Sequence, residues 1–372
     1  MNIGIDARAA VWYRGTGIGT YTYQLIYNIN LYDKINNYLL FFPDKNIKGI
    51  SPSENIDVKL ISEDRKENFW EEVDIPNILN NKEISTYLVP QNGIGLPRDK
   101  NCPFSITLHD VIPFRMPETV GPQYLKLFTK EVPHIIDNCD SIITVSNFSK
   151  MDIHKEFSYP LDKIHVTHLA AENIYFPRDK NNCMEYLKNR YGIKDDFILY
   201  VGGFSPRKNI LGLIEAYSLL PSKIRENLKL VILGKKSRSY YNYRDRAYEL
   251  GLKGQVIFPG YAEVHDLPFF YNACKLFCYP SFYEGFGLPP LEAMACGTPV
   301  ISSNVTSMPE ILEDAAYYID PYNTNDIYEK LLHLIEDDDF RNKLAFNGLM
   351  HSCKYTWKKT ALETIDILKN KT

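Results

Sequence analysis

The sequence has 372 residues, of which 45% are hydrophobic and 24% charged, and its formal net charge is −4. These values are typical of a soluble globular protein of two or three domains, and the slight acidic excess argues against a nucleic-acid-binding protein, which is usually basic. The apolar runs stay short of the roughly 20 residues of a membrane-spanning helix, and the N-terminus lacks the basic and apolar segments of a signal peptide. We therefore expect a cytoplasmic protein.

The cysteines are scattered along the chain and form no Cys-x-x-Cys pair. Cys274 and Cys278 lie close in sequence, but no second pair of Cys or His residues nearby completes a metal site. We interpret the 7 cysteines as reduced thiols, most of them buried, and expect no metal ion.

The first half of the chain alternates short apolar strands with helical patterns. It opens with a strand, a glycine-containing loop over 12–20 and a helix over 21–31. Gly15, Gly17 and Gly19 suggest a dinucleotide-binding loop, but their G-x-G-x-G spacing differs from the G-x-G-x-x-G fingerprint, and a plain strand–helix turn is the alternative. The predicted strands cover residues 3–7, 38–42, 57–61, 85–90, 104–108, 141–145 and 164–167.

A longer helix is predicted over 123–138, and Pro133 should kink or interrupt it. Lys126 and Lys130 flank its apolar face, as in helices that lie on a membrane surface. Glu131 beside them weakens that pattern, so we expect ordinary core packing. A peripheral contact with the inner face of a membrane stays open.

The strand–helix pattern restarts after a polar segment over 177–196, which we predict as the domain boundary. This alternation predicts two parallel α/β domains, residues 1–178 and 179–354, followed by a helical tail over 355–372. The predicted strands of the second half cover residues 197–201, 230–233, 256–258, 276–279 and 299–302.

Two basic residues follow the first strand of the second half. The segment over 201–209 reads VGGFSPRKN and leads into a helix predicted over 210–220. Arg207 and Lys208 at this helix start predict a cationic pocket lined by backbone N–H groups, which suits a diphosphate.

The segment 278–311 places two glutamates around a glycine-rich turn and a helix start. Glu284 precedes the turn, Pro289 and Pro290 favour the helix start, and Glu292 is predicted in the first helical turn. Carboxylates accept hydrogen bonds from hydroxyls, and a helix start attracts anions. The combination suits a diphosphate joined to a polyol, as in a nucleotide sugar.

A histidine stands at the end of a predicted strand. His109 follows the strand over 104–108, and open α/β sheets bind ligands at the carboxyl ends of their strands. Asp110 is interpreted as a residue that orients the loop. A histidine satisfied by local hydrogen bonds is the alternative to a ligand contact.

The segment 278–311 resembles the E-x7-E region of the retaining family 4 glycosyltransferases, which have the GT-B fold. The segments VGGFSPRKN and SITLHDVIPFRMPE, and the stretch with Gly17 and Gly19, match that family too, so the resemblance covers essentially the whole chain. It implies two Rossmann-like domains facing across a cleft, the first for the acceptor and the second for the nucleotide sugar, with the C-terminal helix crossing back to the first. Gly203 departs from the pattern, because many relatives have an arginine there.

The resemblance also implies roles for single residues. Arg207 and Lys208 would hold the donor diphosphate, Glu292 would hold the ribose, and Tyr261 would stack beside the base. His109 would contact the sugar near its reacting carbon. The sugar contacts and the loop that closes over the donor would come from Glu284, Gly285, Phe286, Gly287, Leu288, Gly17 and Gly19. The catalytic set would be His109, Glu284, Arg207 and Lys208.

The implied reaction is the retaining, metal-independent and cofactor-free transfer of a hexose from a nucleotide diphosphate sugar to a glycan or lipid-linked glycan. LHDVIPFRMPE and SSNVTSMPE are most similar to mannosyltransferases that use GDP-mannose in lipopolysaccharide or other surface-polysaccharide assembly. The alternatives are a UDP-sugar-dependent hexosyltransferase, an epimerase or phosphorylase of the same fold, and a non-catalytic sugar-nucleotide-binding protein. Asp337 and Asp339 form a D-x-D pattern, which we interpret as a helix cap.

Overall fold

The chain forms two compact units, each built on one parallel sheet. The structure is a computed structural model that describes residues 1–43, 49–60, 84–236 and 238–370. Unit 1 contains Met1–Leu169 and the C-terminal residues from Thr356 onward, and unit 2 contains Ala170–Tyr355. Two parallel α/β sheets confirm the predicted fold class.

Unit 1 is built on a seven-stranded sheet in which all neighbours pair in parallel. Its strands are β1 (Asn2–Asp6), β2 (Asn37–Phe42), β3 (Ile56–Leu60), β4 (Thr86–Val89), β5 (Phe104–Thr107), β6 (Ser141–Thr144) and β7 (Ile164–Val166). The order β3-β2-β1-β4-β5-β6-β7 places β1 beside β4. Residue 61, the end of a predicted strand, lies outside the described residues.

The helices of unit 1 come from both ends of the chain. They are α1 (Arg8–Trp12), α2 (Gly17–Tyr32), α3 (Ile112–Arg115), α4 (Pro122–Asn138), α5 (Asn147–Phe157) and, in chain numbering, α15 (Trp357–Lys369). Pro133 does not interrupt α4. α15 packs on α2, where the rings of Trp357 and Tyr21 lie 6.2 Å apart, and the Thr360 hydroxyl donates to the His168 carbonyl at 2.5 Å.

Unit 2 is built on a six-stranded parallel sheet of order β10-β9-β8-β11-β12-β13. Its strands are β8 (Asp196–Val201), β9 (Leu228–Leu233), β10 (Val256–Gly260), β11 (Leu276–Tyr279), β12 (Val300–Ser303) and β13 (Tyr317–Ile319). β13 was not predicted, because it is only three residues long and two of them are half-exposed tyrosines.

In unit 2, one helix precedes the first strand, and one or two helices follow each strand. They are α6 (Lys180–Tyr191), α7 (Ile210–Leu219), α8 (Ser222–Asn227), α9 (Arg238–Glu249), α10 (Leu267–Ala273), α11 (Leu288–Ala295), α12 (Met308–Leu312), α13 (Thr324–Glu336) and α14 (Asp338–Ser352). Among the helices of the described residues, none combines the length and the hydropathy of a membrane-spanning segment.

The polar segment that we predicted as the domain boundary belongs to unit 2. It forms α6, whose Tyr186 stacks on Phe269 of α10 with 3.9 Å between ring centroids. Just before α6, the backbone N–H of Arg178 donates to the Asn272 side chain of α10 at 2.6 Å. Because these contacts tie the segment to α10, the division between the units falls after Leu169 rather than after Arg178.

In each sheet, the strand order reverses at one point: the first strands are added on one side of the starting strand and the later strands on its other side. This point lies between β1 and β4 in unit 1 and between β8 and β11 in unit 2. Open α/β sheets bind ligands at the carboxyl ends of the strands at such a switch point. The loops after these strands therefore form the natural framework of a site in each unit.

Candidate active site

The loop after β8 brings two basic residues to the switch point of unit 2. Pro206–Lys208 form a single 3-10 turn, and Asn209 ends it in the left-handed conformation with φ at 53°. Asn tolerates this conformation, and its side chain caps α7 by accepting the Gly212 N–H at 3.2 Å. The Asn209 amide also donates to the Pro321 carbonyl at 2.7 Å, so the start of α7 is fixed from two sides.

Arg207, Lys208 and Glu284 meet in what we call the ion-pair cluster. Arg207 Nη1 and Lys208 Nζ lie 2.9 and 2.5 Å from the same carboxylate oxygen, Glu284 Oε1. The three side chains are only 18%, 11% and 9% exposed, respectively. The loops after the neighbouring strands β8 and β11 supply the cations and the carboxylate, respectively, so the cluster spans the switch point.

The charge of Glu284 is strongly favoured in this cluster. Burial alone would raise the pKa of its carboxyl, but the charges of Arg207 and Lys208 outweigh burial and lower that pKa to about 2. Glu284 is therefore an anion at neutral pH, and the cluster carries two positive charges against one negative charge. Such a weakly basic carboxylate suits hydrogen-bond acceptance better than proton transfer.

Tyr279 is a part of this site that the sequence did not reveal. Lys208 Nζ donates to the Tyr279 hydroxyl at 2.5 Å and lies 4.9 Å from the centroid of its ring. Tyr279 ends β11, and its ring stacks on Tyr200 of β8 at 6.2 Å. The sequence predicts Tyr279 only as the last residue of the strand over 276–279; that position at the carboxyl end of β11 is the signal that points to the site.

The glycine-rich turn between Glu284 and α11 is held by the loop that precedes α12. The hydroxyl of Thr306 accepts the Glu284 N–H at 3.2 Å, and the Ser307 hydroxyl donates to the Glu284 carbonyl at 2.9 Å. Gly287 has φ at 102°, and a Cβ there would lie 2.4 Å from the Met308 methyl group. The turn therefore favours glycine at 287 for its conformation, and any side chain there would also displace the end of the Met308 side chain.

Glu292 was predicted in the first turn of α11, but it lies beyond that turn. The helix begins at Leu288, earlier than the proline pair indicated, so Glu292 falls in its second turn. Its Oε2 accepts a hydrogen bond from the Tyr271 hydroxyl at 2.8 Å, and the side chain is buried. Burial and the Glu292 charge both raise the pKa of Tyr271, which therefore remains a donor.

One predicted donor contact, Tyr261, and the position that departs from the family pattern, Gly203, lie elsewhere in unit 2. Tyr261 follows β10, at the far edge of the sheet from β13, and is 51% exposed. Gly203 follows β8, and a Cβ there would meet no atom within 4 Å. The position where many relatives carry an arginine thus has room for a side chain.

In unit 1, Gly17 and Gly19 lie in the first turn of α2 and not in a loop as predicted. Thr16 caps this helix by accepting the Gly19 N–H at 3.2 Å. A Cβ on Gly19 would lie 1.9 Å from the Tyr13 carbonyl oxygen, whereas one on Gly17 would meet nothing within 4 Å. Gly19 is therefore required for the close approach of α2 to the segment that follows α1.

His109 follows β5 and is 7% exposed. Its Nε2 lies 3.0 Å from the Pro90 carbonyl oxygen, its backbone N–H donates to Asn92, and its ring meets Tyr21 edge-on at 4.8 Å. Burial lowers the pKa of the imidazole to about 4, although the Pro90 carbonyl opposes this effect. The ring is therefore neutral at pH 7. Asp110 orients the loop, as predicted, by accepting the Ile112 N–H at 3.1 Å.

The D-x-D pattern is a helix cap, which confirms the interpretation of Asp337. Its carboxylate accepts the Phe340 N–H at 2.8 Å at the start of α14. Across the described ranges, no group of three or more His, Cys, Asp or Glu residues is arranged to hold a metal ion.

Comparisons with known proteins found related sequences and a related structure. The family model for glycosyl transferases group 1 matches residues 185–349. An O-antigen chain mannosyltransferase B of Escherichia coli is 37% identical over 268 residues, which cover 71% of this chain and 69% of that protein. A serotype-specific mannosyltransferase WbdA of Escherichia coli is 32% identical over 72% of this chain, which spans only 34% of that longer protein.

A solved structure supports the fold. Sucrose-phosphate synthase from Thermosynechococcus elongatus superposes with a TM-score of 0.76 at 19% identity, covering 100% of this chain and 98% of that chain. Together with the two parallel-sheet units, this similarity confirms the predicted GT-B fold.

Proposed function

Since this chain belongs to the group 1 glycosyltransferase family, we propose that it transfers mannose from GDP-mannose to a glycan or lipid-linked glycan with retention of configuration. The ion-pair cluster is the observation that carries this proposal. The buried Lys208, the partly buried Arg207 and the start of α7 converge at the switch point of unit 2, where an open α/β sheet binds its ligand. This arrangement suits the diphosphate of a nucleotide sugar.

The proposed role of the cluster is to stabilise the leaving diphosphate. Negative charge builds on that group as the bond to the sugar breaks, and preorganised cations in a water-poor site stabilise it strongly. Lys208 and Arg207 supply the charge, and the helix starts at Asn209 and Leu288 supply N–H groups. In this proposal the reaction needs neither a metal ion nor a cofactor.

Glu284 is proposed to bind sugar hydroxyls and to orient the two cations. Its lowered pKa makes it a poor general base, and we propose instead that a donor phosphate oxygen accepts the proton of the acceptor hydroxyl. The backbone from Gly285 to Leu288 completes the sugar contacts. Glu292 is proposed to accept from the ribose hydroxyls beside its bond to Tyr271.

His109 is proposed to contact the sugar of the donor. Its ring is neutral, and its Nε2 faces a carbonyl oxygen, which can only accept, so Nε2 carries the proton. Nδ1 is then an acceptor for a hydroxyl group. A neutral acceptor orients the sugar, and it stabilises positive charge at the reacting carbon less than a charged group would.

The choice of mannose rests on the relatives, because the site does not encode the base or the sugar in side chains that we can assign. The related Escherichia coli proteins are named as mannosyltransferases, one of them of the O-antigen chain. A UDP-sugar-dependent hexosyltransferase is the competing assignment.

A donor panel tests the proposal. The purified protein would be incubated with GDP-mannose, GDP-fucose, UDP-glucose and UDP-galactose, and the released nucleotide diphosphate would be measured, first without an acceptor. We expect GDP to be released from GDP-mannose at least 10-fold faster than the nucleotide diphosphate is released from the other donors. A tenfold preference corresponds to about 1.4 kcal/mol, which a few contacts to the base and the sugar can supply. Faster release from a UDP-sugar would overturn the donor assignment.

A further inference from the structure

We propose that Asn92 is a positioning residue that holds His109 for catalysis, an inference that rests on the function proposed above. Asn92 lies just after β4, at the switch point of unit 1, whereas His109 follows the adjacent strand β5. The loop over 91–100 carried no readable signal in the sequence, so this role comes from the structure.

The backbone of Asn92 is held in an uncommon conformation. Its φ is 54°, a left-handed value that few non-glycine residues adopt, and the residue is 4% exposed. Asn adopts this conformation more readily than most other non-glycine residues, so at this position glycine is the substitution that removes the side chain and keeps the backbone conformation accessible.

Both polar atoms of the Asn92 side-chain amide form hydrogen bonds. Its Oδ1 accepts the backbone N–H of His109 at 3.0 Å, and its Nδ2 donates to the Tyr124 hydroxyl at 3.1 Å. The two partners fix which end of the amide is the oxygen. Asn92 therefore connects the loop after β4 to the backbone of His109 and to α4.

The same loop also controls the His109 ring. The carbonyl of Pro90, two residues before Asn92, faces Nε2 at 3.0 Å and retains the proton on that nitrogen. Asn92 holds the backbone of His109, and Pro90 holds its ring. The segment from Pro90 to Asn92 therefore determines the tautomer of the imidazole and the position of the acceptor Nδ1. Loss of the Asn92 amide should loosen the backbone of His109 and, with it, the ring.

Asn92→Gly tests this role without straining the backbone, since glycine adopts the left-handed conformation readily. We expect kcat for mannosyl transfer to fall 10-fold or more, with the Kd for GDP within twofold of the parent, because the residues proposed to bind the diphosphate lie in unit 2. Asn92→Asp, which keeps the acceptor for the His109 N–H, should restore part of the rate. Ser158→Gly, at a left-handed helix end in the same unit, is the matched control and should keep full activity.

A double-mutant cycle separates positioning from a general structural effect. If Asn92 acts through His109, Asn92→Gly should reduce the rate of the His109→Ala variant by less than twofold. A multiplicative loss in the double variant, or an unchanged kcat in Asn92→Gly alone, would overturn the inference.

A measurement independent of activity keeps the inference distinct from the proposed function. Nitrogen-15 NMR of the imidazoles should show the Nε2–H tautomer for His109 in the parent and a mixture of tautomers in Asn92→Gly. An unchanged tautomer in the variant would contradict the positioning role. If the parent releases nucleotide from no donor, the proposed function fails, and the NMR result alone then decides the structural part of the inference.

Discussion

At the residue scale, Glu284 determines the electrostatics of the site. Its carboxylate balances one of the two cations, so the cluster keeps a surplus of positive charge without burying two unpaired cations, which would be costly. The sequence placed Glu284 and the Arg207–Lys208 pair in separate motifs. It did not show that they share one carboxylate oxygen, because that depends on β8 and β11 being neighbours.

Glu284 should make stability depend on acidity. Its pKa is lowered in the folded state from 4.5 to about 2, so its contribution is fully present above pH 4.5 and is lost as pH falls toward 2. That shift corresponds to roughly 3 kcal/mol. We predict that the difference in free energy of unfolding between the parent and Glu284→Gln shrinks between pH 5 and pH 3. Urea denaturation measures it, and a constant difference would contradict the account.

Gly203 offers a test in which function is gained. Open space surrounds the position where a Cβ would be, and many relatives of the family carry an arginine there. We predict that Gly203→Arg folds normally and lowers the KM for the donor several-fold, because it adds a cation near the proposed diphosphate site. Gly203→Gln, which has no charge, is the control. An equal change of KM in both variants would argue against an electrostatic effect.

At the element scale, the start of α2 requires glycine at position 19 but not at position 17. Gly19→Ala would place a methyl group against the Tyr13 carbonyl, while Gly17→Ala points into open space. We predict that Gly19→Ala lowers the free energy of unfolding by about 2 kcal/mol or more, as overpacking does, and that Gly17→Ala changes it by less than about 1 kcal/mol. Similar stabilities of the two variants would show that α2 can shift.

Elements with mostly buried, apolar residues were predicted from the sequence, whereas elements with few buried residues were not. Buried strands such as β8 and β11 have apolar runs and were found from the sequence. In contrast, α6 buries only Cys183 and Leu187 along its length, so its polar composition suggested a linker. The first-turn position of Glu292 was wrong because Leu288, and not a proline, begins α11. Contacts such as those of Tyr279 and Asn92 join segments distant in sequence, and local patterns do not encode them.

At the scale of the whole molecule, unit 1 is formed from both ends of the chain. Its last helix, α15, is connected to the rest of the unit only through the chain of unit 2. Trp357, Ala361, Ile365 and Leu368 are buried along this helix. Unit 1 therefore cannot complete its packing until α15 (Trp357–Lys369) has been made.

Trp357→Ala tests the contribution of α15. The side chain is 4% exposed, and its removal leaves a large cavity, so we predict a loss of about 3 kcal/mol or more in the free energy of unfolding. Leu362→Ala on the same helix is the control, because Leu362 is 37% exposed and should cost less than about 1 kcal/mol. Denaturant unfolding followed by circular dichroism measures both. Equal losses would indicate that α15 contributes through helix formation alone.

The central claim is that the ion-pair cluster holds and stabilises the donor diphosphate. The most direct test is the rate of mannosyl transfer by Lys208→Ala, compared with Lys180→Ala, whose side chain pairs with Asp196 at a half-exposed site. We predict that Lys208→Ala retains its fold but loses at least 100-fold in kcat, as expected when a buried cation no longer stabilises the leaving group, while Lys180→Ala matches the parent. Near-parental turnover by a folded Lys208→Ala variant would contradict the account.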